Sequence, residues 1–408
     1  MNTNPDNPDP PNSRRRHSRA QPPAKPGRLL VVLPSWLGDA VMATPTLRLL
    51  RDALPGAFIA GLARPAVAAL LEGTPLLDET LVERASGVMG PKRVAARVRP
   101  LRFDAALLLT NSFSTALTTR IAGIPRRVGY DRDGRGLLLT HRLHAPVRAP
   151  TGISKRRWAA VPACAYYYAA GRALLGDPPP PFEELEDAMS VLPQGATLEL
   201  PLSDADRAEA TKVLSSAGLG ASAAHKPESN TTALAVLNPG ANNPAKRWPA
   251  ARFAALADHL ADHHHLRVLI NTGPGEEEVA QAVHDACQTA APVLLTEHGQ
   301  TLAALKAILA RARLLVTNDT GPRHLAAAFG TPTLALFGPT DPRWTILPER
   351  TRAGGLPREI RLAAGEIGPE PLGPGELADE HPERCRIEQI STDLAREAVA
   401  RLLGPPPA

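Results

Sequence analysis

Cysteine is scarce in this chain. The 408 residues include only three cysteines, Cys164, Cys287 and Cys385, which lie far apart and form no Cys-x-x-Cys spacing. This count and spacing exclude a disulfide framework and a cysteine-based zinc site, and they favour a reducing compartment. Long apolar runs are also lacking, since none approaches the ~18 residues that a membrane-spanning helix needs. No apolar stretch follows the basic N-terminal segment, which argues against a secretory signal. We therefore expect a cytoplasmic protein.

Net charge is small once the N-terminal segment is set aside. The formal charge is +5, and residues 1–27 hold five Lys/Arg against two Asp, which leaves only +2 for the rest of the chain. The pI near 9.3 is therefore mostly a property of this segment and predicts no nucleic-acid partner. Residues 1–27 contain many Pro, Asn and Arg and almost nothing apolar, which predicts a disordered basic tail. A solvated tail is the favoured interpretation, and contact with an anionic membrane surface is the alternative.

Short apolar runs alternate with segments of helical period from residue 28 onwards. Such alternation predicts βαβ units with parallel sheets that are buried on both faces. The predicted strands form two series: RLLVVL, AFIAGLA and FDAALLLT in the first, and LAVLN, LRVLIN, PVLLT, RLLVTN and TLALFG in the second. The predicted helices cover residues 40–53, 112–123, 249–262, 276–288, 301–311, 322–329 and 391–403. We expect an α/β protein with two Rossmann-like domains.

The two series are separated by a segment rich in Pro and acidic residues, LLGDPPPPFEELEDAMSVLPQGATLELPL, which we interpret as an interdomain linker. Ser203 then begins a helix of the second domain. The predicted boundaries are residues 1–27 for the tail, 28–190 and 191–390 for the two Rossmann-like domains, and 391–408 for a final helix with a Pro-rich end.

Chemically unusual residues follow the predicted strands, where ligands bind in open parallel sheets. Asp39 follows the first strand, in a turn that has one glycine, Gly38, where a dinucleotide-binding turn has several. In the second domain, glycine-bearing turns direct backbone N–H groups and helix N-termini at one edge, which suits a diphosphate. These turns are NPGANNPAKRWP after LAVLN, NTGPGEEE after LRVLIN, and NDTGPRHLAAAFG after RLLVT.

Each of these residues also has a purely structural interpretation. Asp39, Asp319 and Thr320 are helix-capping types, His324 is a packed histidine in most contexts, and Lys246 with Arg247 is ordinary surface charge. Their joint occurrence at one sheet edge favours a ligand-binding site. Three other motifs are interpreted structurally: the acidic pair Asp131 and Asp133 as a Gly- and Asp-rich turn, DHHHLR as a helix C-terminus, and the three tyrosines of AYYYAAGRALLG as core.

Four segments together resemble the ADP-heptose:lipopolysaccharide heptosyltransferases of glycosyltransferase family 9, on the heptosyltransferase II side. They are PSWLGDAVMATPTLRLLR, NSFSTALTTRIAGIPRRVGY, PAKRWPAARFAALA and NDTGPRHLAAAFGTPTLALFGPTDP, and the resemblance extends over most of residues 28–400. It implies a GT-B fold, with an N-terminal acceptor domain and a C-terminal nucleotide-sugar domain that face each other across a cleft. It also implies inverting transfer from ADP-heptose to the lipopolysaccharide core (Kdo/heptose-lipid A), with no metal and no cofactor.

The resemblance also implies roles for single residues. Asp39 becomes the general base, and Glu276 the ribose contact. The predicted nucleotide-sugar-binding residues are Asn242, Lys246, Glu276, Asp319, Thr320, Gly321 and His324, and the predicted acceptor-binding residues are Ser112 and Arg127. Further arginines of the first domain, Arg120, Arg126 and Arg135, are weighed as partners of an acidic glycolipid against a merely solvated basic face.

Two other functions stay open at this point. One is another GT-B-like enzyme that uses a UDP-sugar, such as an epimerase, and the other is a non-catalytic nucleotide-sugar-binding protein. The lipid acceptor implies a cytoplasmic enzyme with peripheral contact to the cytoplasmic face of the inner membrane. The acceptor position, the oligomeric state and the function of the tail are not determined by the sequence.

Overall fold

The computed structural model describes residues 24–85, 87–148, 157–219, 233–348, 356–373 and 375–404. Most of the predicted disordered tail (residues 1–23) and the Pro-rich end (residues 405–408) lie outside these ranges. None of the helices in the described ranges is long and apolar enough to cross a membrane.

The first half of the chain forms a six-stranded parallel sheet in the order β3-β2-β1-β4-β5-β6. Two short segments, β7 and β8, pair as a separate antiparallel ribbon. The elements are β1 Arg28–Val32, α1 Leu37–Met42, α2 Thr44–Ala53, β2 Phe58–Ala63, α3 Pro65–Leu70, β3 Glu79–Val82, α4 Gly90–Val98, β4 Ala105–Leu108, α5 Phe113–Ile121, β5 Arg126–Tyr130, β6 His141–Leu143, β7 Val147–Arg148, β8 Arg157–Trp158 and α6 Ala163–Leu174.

The second half repeats this arrangement, with a parallel sheet in the order β11-β10-β9-β12-β13-β14. Its elements are α7 Asp204–Ser216, β9 Leu234–Asn238, α8 Ala250–His264, β10 Arg267–Ile270, α9 Glu277–Ala286, β11 Val293–Leu294, α10 Leu302–Arg311, β12 Leu314–Asn318, α11 Gly321–Phe329, β13 Thr333–Phe337, β14 Glu359–Ala363, α12 Ala364–Ile367 and α13 Thr392–Leu403. The prediction of two Rossmann-like sheets is confirmed.

Strand order reverses at equivalent places in the two sheets, between β1 and β4 and between β9 and β12. The connections that leave adjacent strands at such a point run to opposite faces of the sheet, which opens a crevice at the carboxyl ends of the strands. The turns after β1, β9 and β12 therefore meet where a ligand site is expected. These are the turns in which the sequence places its unusual residues.

The predicted helix over residues 40–53 is wrong in detail, because the structure has two helices there. α1 ends at Met42, Ala43 connects the two, and α2 begins at Thr44 with Pro45 in its first turn. Proline has no N–H to continue the hydrogen-bond ladder of α1, but it is well accommodated in the first turn of a new helix. A short first helix results, and it carries Asp39 near its start.

The predicted linker packs against the first half of the chain. Val191, Leu192 and Leu198 are buried in the core that α6 and the first sheet share. Glu199 forms a two-pronged ion pair with Arg48 of α2, with N–O distances of 3.0 and 2.7 Å. The capping box at Ser203 confirms that α7 begins there, and α7 packs on α10 of the second half.

Candidate active site

A cavity of about 1140 Å³ lies between the carboxyl edges of the two sheets. We call it the cleft. Residues that follow β1 line one side, and residues that follow β9, β10 and β12 line the other. The predicted site residues that line it are Asp39, Asn242, Lys246, Glu276, Asp319, Thr320, Gly321 and His324.

Asp39 lies in the first turn of α1, where it does not act as the helix cap. The N-cap position is Trp36, which has an extended backbone and no side-chain cap hydrogen bond. The Asp39 carboxylate instead accepts a hydrogen bond from the hydroxyl of Tyr167, with an Oη–Oδ1 distance of 2.9 Å. The structural interpretation of Asp39 as a cap is therefore wrong, and its carboxylate is free to serve the cleft.

Burial raises the pKa of Asp39 above its ordinary value. The hydrogen bond from Tyr167 opposes this rise, the nearby Asp319 carboxylate adds to it, and the backbone N–H of Asp39 itself opposes it. The sequence argument considered only the helix N-terminus, which lowers a carboxyl pKa; desolvation dominates here because the residue is enclosed between the two halves. A raised pKa brings the carboxylate closer to the working pH, which suits a proton acceptor.

Gly38 brings the two halves of the protein into close contact. A Cβ atom at this position would lie 2.5 Å from Cδ2 and 3.1 Å from Nε2 of His324, the fourth residue of α11. Real carbon–carbon contacts optimise at ~3.5–4.0 Å. The single glycine of this turn therefore permits α1 to pack on α11, which is a different role from that of phosphate-binding glycines.

His324 is almost fully buried under this contact. Burial lowers its pKa well below the ordinary value, and the positive charges of Arg323 and Lys246 lower it further. The ring is therefore neutral, and its buried Nδ1 has no hydrogen-bond partner among the described residues. A neutral ring carries one donor and one acceptor nitrogen.

Lys246 and Asp319 form an ion pair beside the start of α11. Their Nζ–Oδ2 distance is 3.2 Å, and Arg323 approaches the other carboxylate oxygen of Asp319 at 3.8 Å. Thr320 is the N-cap residue but makes no side-chain cap hydrogen bond; its hydroxyl accepts one from the Asn238 amide at 3.0 Å. The capping interpretation of these two residues is wrong for their side chains, and Asp319 orients Lys246 towards the cleft.

Glu276 joins two turns of the second half. Its Oε2 accepts a hydrogen bond from the backbone N–H of Gly273 at 3.0 Å, and Arg247 approaches Oε1 at 3.5 Å. A Cβ atom on Gly240 would lie 2.1 Å from Oε2, so a side chain there would displace this carboxylate from its place between the turns after β9 and β10.

Comparison with known proteins points to one family. The profile described as Glycosyltransferase family 9 (heptosyltransferase) matches residues 184–356. Lipopolysaccharide heptosyltransferase 2 of Salmonella typhimurium is 29% identical over 386 residues, which cover 91% of this chain and 100% of that protein. The chain is therefore similar to glycosyltransferase family 9 over residues 184–356, and to a heptosyltransferase over nearly its whole length.

Two solved structures show the same fold as this chain. A glycosyl transferase family 9 protein from Veillonella parvula aligns with a TM-score of 0.69 and 23% identity, over 92% of this chain and 97% of that one. The ADP-heptose lps heptosyltransferase II of E. coli aligns with a TM-score of 0.66 and 24% identity, over 92% and 98%. The predicted GT-B architecture is confirmed.

Sequence reasoning missed a chain of amide side chains in this glycosyltransferase. Gln300 donates to Asn271, Asn271 donates to Asn238, and Asn238 donates to Thr320. These amides lie at or just beyond the carboxyl ends of β9, β10 and β11, and all three line the cleft. The asparagines that end LAVLN and LRVLIN were a visible signal, although nothing in the sequence shows that their side chains connect.

Two of the three tyrosines of α6 have a further role that the sequence did not indicate. The sequence indicated core packing for all three, and all three are indeed buried. Tyr166 and Tyr167 nevertheless line the cleft as well, and their hydroxyls donate to Asn111 and Asp39.

The two predicted acceptor-binding residues do not line the cleft. Ser112 caps α5, where its hydroxyl accepts from the N–H of Ser114. Arg127 lies near the amino end of β5 and donates to the carbonyls of Leu138 and Ile124. The amino end of a parallel strand is the sheet edge opposite to the cleft. None of the other arginines considered with it lines the cleft. Arg126 donates to a backbone carbonyl at the same edge, and Arg120 is exposed in the last turn of α5. Arg135 is fully buried and donates to the Tyr130 carbonyl and to the side chain of Asn111, which itself borders the cleft.

The acidic pair Asp131 and Asp133 forms part of a turn, in agreement with its structural interpretation. Asp131 bonds to the His144 ring at 2.9 Å and accepts from the N–H of Ala145 at 3.4 Å. Asp133 has a positive φ of 55°, which is typical of turn aspartates. Across the residues that the structure describes, no three His, Cys, Asp or Glu side chains group as metal ligands.

Proposed function

We propose that this protein is an inverting glycosyltransferase that moves heptose from ADP-heptose to the inner core of lipopolysaccharide. One observation carries the proposal: a carboxylate that follows β1 of one sheet faces, across a single cleft, a lysine and a helix N-terminus that follow β9 and β12 of the other. A relative aligned over nearly the whole chain is named lipopolysaccharide heptosyltransferase 2, which supports the donor and acceptor classes.

The second half provides the groups that a nucleotide diphosphate needs. Lys246 supplies a positive charge at the start of α11, and that helix directs its positive dipole end and the backbone of Gly321 into the cleft. Charge that develops on a leaving diphosphate is stabilised by such pre-placed groups, each worth about 3 kcal/mol in an enclosed site. We assign Thr320, His324 and Asn242 to contacts around the diphosphate and sugar, and Glu276 to the ribose hydroxyls.

The first half provides the base. In the proposed step, an acceptor hydroxyl attacks the anomeric carbon of heptose from the face opposite to the diphosphate. A new C–O glycosidic bond forms, the bond between C1 and the diphosphate oxygen breaks, and ADP leaves with that electron pair. The hydroxyl proton passes to Asp39, whose raised pKa makes it an apt acceptor. Attack from the opposite face inverts the anomeric configuration.

The contact between α1 and α11 supports this arrangement of base and donor. Because Gly38 lies against His324, the next residue, Asp39, is held at a set distance from the diphosphate side of the cleft. Pre-placed reacting groups of this kind lower the entropic part of the barrier. Enclosure also keeps water from the activated sugar.

We also propose that the enzyme works in the cytoplasm, in peripheral contact with the inner membrane that carries its lipid acceptor. Cell fractionation tests this: the protein should divide between the soluble and membrane fractions, and high salt should release the bound part. Recovery wholly in the soluble fraction at low salt would contradict membrane contact.

The test of the function has two stages. Calorimetric titration with ADP, UDP and GDP, without and then with magnesium, is expected to show preference for ADP without metal. Transfer of labelled heptose from ADP-heptose to heptose-deficient lipopolysaccharide is then expected. Preference for UDP would favour the epimerase-like alternative, and ADP binding without transfer or donor hydrolysis would favour a non-catalytic binder.

A further inference from the structure

The hydroxyl of Tyr167 contacts the proposed base directly. Tyr167 lies in the first half of α6, 128 residues from Asp39 in the chain, and its Oη donates to Asp39 Oδ1 at 2.9 Å. Burial raises the pKa of Tyr167 well above its ordinary value, so the phenol keeps its proton and remains a donor. The ring is 8% exposed and borders the cleft.

We propose that Tyr167 is the positioning residue of the general base: its hydroxyl holds Oδ1 of Asp39, which leaves Oδ2 to take the proton of the acceptor hydroxyl. This inference rests on the proposed function and adds to it a residue that the family resemblance did not supply. Tyr167 itself neither gains nor loses a proton in the step.

The neighbouring tyrosines show that burial alone does not explain this residue. Tyr166, Tyr167 and Tyr168 are equally exposed, at 8% each, so they contribute similar apolar burial. Their hydroxyls differ: that of Tyr166 donates to Asn111 at 3.1 Å, and that of Tyr167 reaches the carboxylate. Tyr168 is buried in the same core, but it is not among the groups that influence the Asp39 carboxylate. It is therefore the natural control.

The other groups close to Asp39 do not stabilise its charge, and Lys246 on the far side of the cleft is paired with Asp319. Asp319, from the turn after β12, repels the Asp39 carboxylate. Burial raises the pKa of Cys164 on α6 to about 12, so that thiol is neutral. His324 on α11 is neutral because burial lowers its pKa. Within the described part of the chain, the Tyr167 hydroxyl and the Asp39 backbone N–H are therefore the groups that favour the ionised carboxylate.

Loss of the Tyr167 hydroxyl should raise the pKa of Asp39. A donor to the ionised form lowers the pKa of a carboxyl group, so its removal raises that pKa. In Tyr167→Phe we expect the acidic limb of the kcat–pH profile to move up by about one pH unit, because hydrogen bonds to charged groups are of that size. On the plateau above this limb, where Asp39 is ionised in both proteins, we expect kcat to fall about tenfold because the carboxylate is no longer held in place, with the KM for ADP-heptose unchanged.

Tyr168→Phe is the matched control, with the wild-type profile expected. Calorimetric ADP affinity equal to wild type will show that both variants are folded at the donor side. Replacement of Tyr167 by 3-fluorotyrosine, a more acidic phenol and a stronger donor, should move the acidic limb in the opposite direction. This second variant keeps the ring and the hydroxyl in case the phenylalanine variant does not fold.

The outcomes separate the two proposals. If Tyr167→Phe and the fluorotyrosine variant both superimpose on the wild-type profile, or if Tyr168→Phe shifts it equally, the positioning role is overturned and the glycosyltransferase function stands. If the wild-type protein transfers no heptose, the proposed function itself is overturned. Opposite shifts in the two Tyr167 variants would support the assignment, since a merely structural role does not produce them.

Discussion

Substitution of Gly38 by alanine tests the contact on which the site depends. The new Cβ atom would lie 2.5 Å from Cδ2 of His324, which is at least ~1 Å closer than a comfortable carbon–carbon contact. His324 is 4% exposed and has little room to move away. The clash must therefore be relieved by separation of α1 from α11.

The expected change in the free energy of unfolding combines two opposing effects. Alanine in place of glycine within a helix ordinarily stabilises it by ~0.5–1 kcal/mol. Overpacking a close contact costs ~1–3 kcal/mol, so we expect Gly38→Ala to lower the free energy of unfolding by ~1–2 kcal/mol. The activity should fall further, by about 10²-fold in kcat, because displacement of a catalytic group by ~1 Å costs about that much.

Urea denaturation and steady-state heptose transfer measure these two effects, and ADP calorimetry checks that the donor side is intact. Gly56→Ala is the matched control, because a Cβ atom at Gly56 meets no atom within 4 Å. A Gly38→Ala variant that is as active as wild type and more stable would behave as an ordinary helix glycine. That result would refute the close contact between Gly38 and His324, and with it the proposed placement of Asp39.

The remaining predictions concern the charged groups of the cleft. Asp39→Asn should lower kcat by ~10²–10⁴-fold and leave ADP affinity unchanged. Substitution of the exposed Asp52 by Asn is the kinetic control, and undiminished turnover in Asp39→Asn would exclude Asp39 as the base. Lys246→Ala should weaken ADP binding ~10- to 100-fold, since a charge-assisted contact is worth ~1.5–3 kcal/mol. Substitution of the exposed Lys212 by Ala should leave ADP binding unchanged. Equal ADP affinities of Lys246→Ala and the wild type would remove Lys246 from the site. Because burial lowers the pKa of His324 in the folded protein, the unfolded state binds more protons below the ordinary histidine pKa. His324 should therefore lower the free energy of unfolding as pH falls below ~6.5, by up to ~1.4 kcal/mol per pH unit. Urea denaturation at pH 7.5 and 5.5 should show a smaller loss for His324→Gln, and an equal loss would contradict the assignment.

The fold and the edge at which the site lies were predictable from the sequence. Parallel strands buried on both faces need continuous apolar runs, and LAVLN and RLLVTN show them directly. Because parallel strands align their carboxyl ends, any polar residue that follows a strand is brought to the same edge. That reasoning placed Asp39 at the carboxyl edge of the first sheet and Lys246 and Asp319 at that of the second, and the family resemblance implied the cleft between them.

The same rule bears on the two predicted acceptor residues, which do not line the cleft. Arg127 precedes most of β5 and therefore belongs to the opposite edge, where it donates to two backbone carbonyls. Applied to this residue, the rule would have excluded it from the cleft. Ser112 does follow β4, but a serine at a helix start satisfies backbone N–H groups.

By itself, the sequence determined the alternation of strands and helices, the turn chemistry, and the sheet edge that carries polar groups, because these depend on residues within one or two turns of each other. The partners of those groups were decided only by tertiary structure. Gly38 meets His324 and Tyr167 meets Asp39 across separations of more than a hundred residues. Desolvation of Asp39 likewise depends on how the two halves enclose it, because burial is a property of the packed molecule that no local pattern encodes.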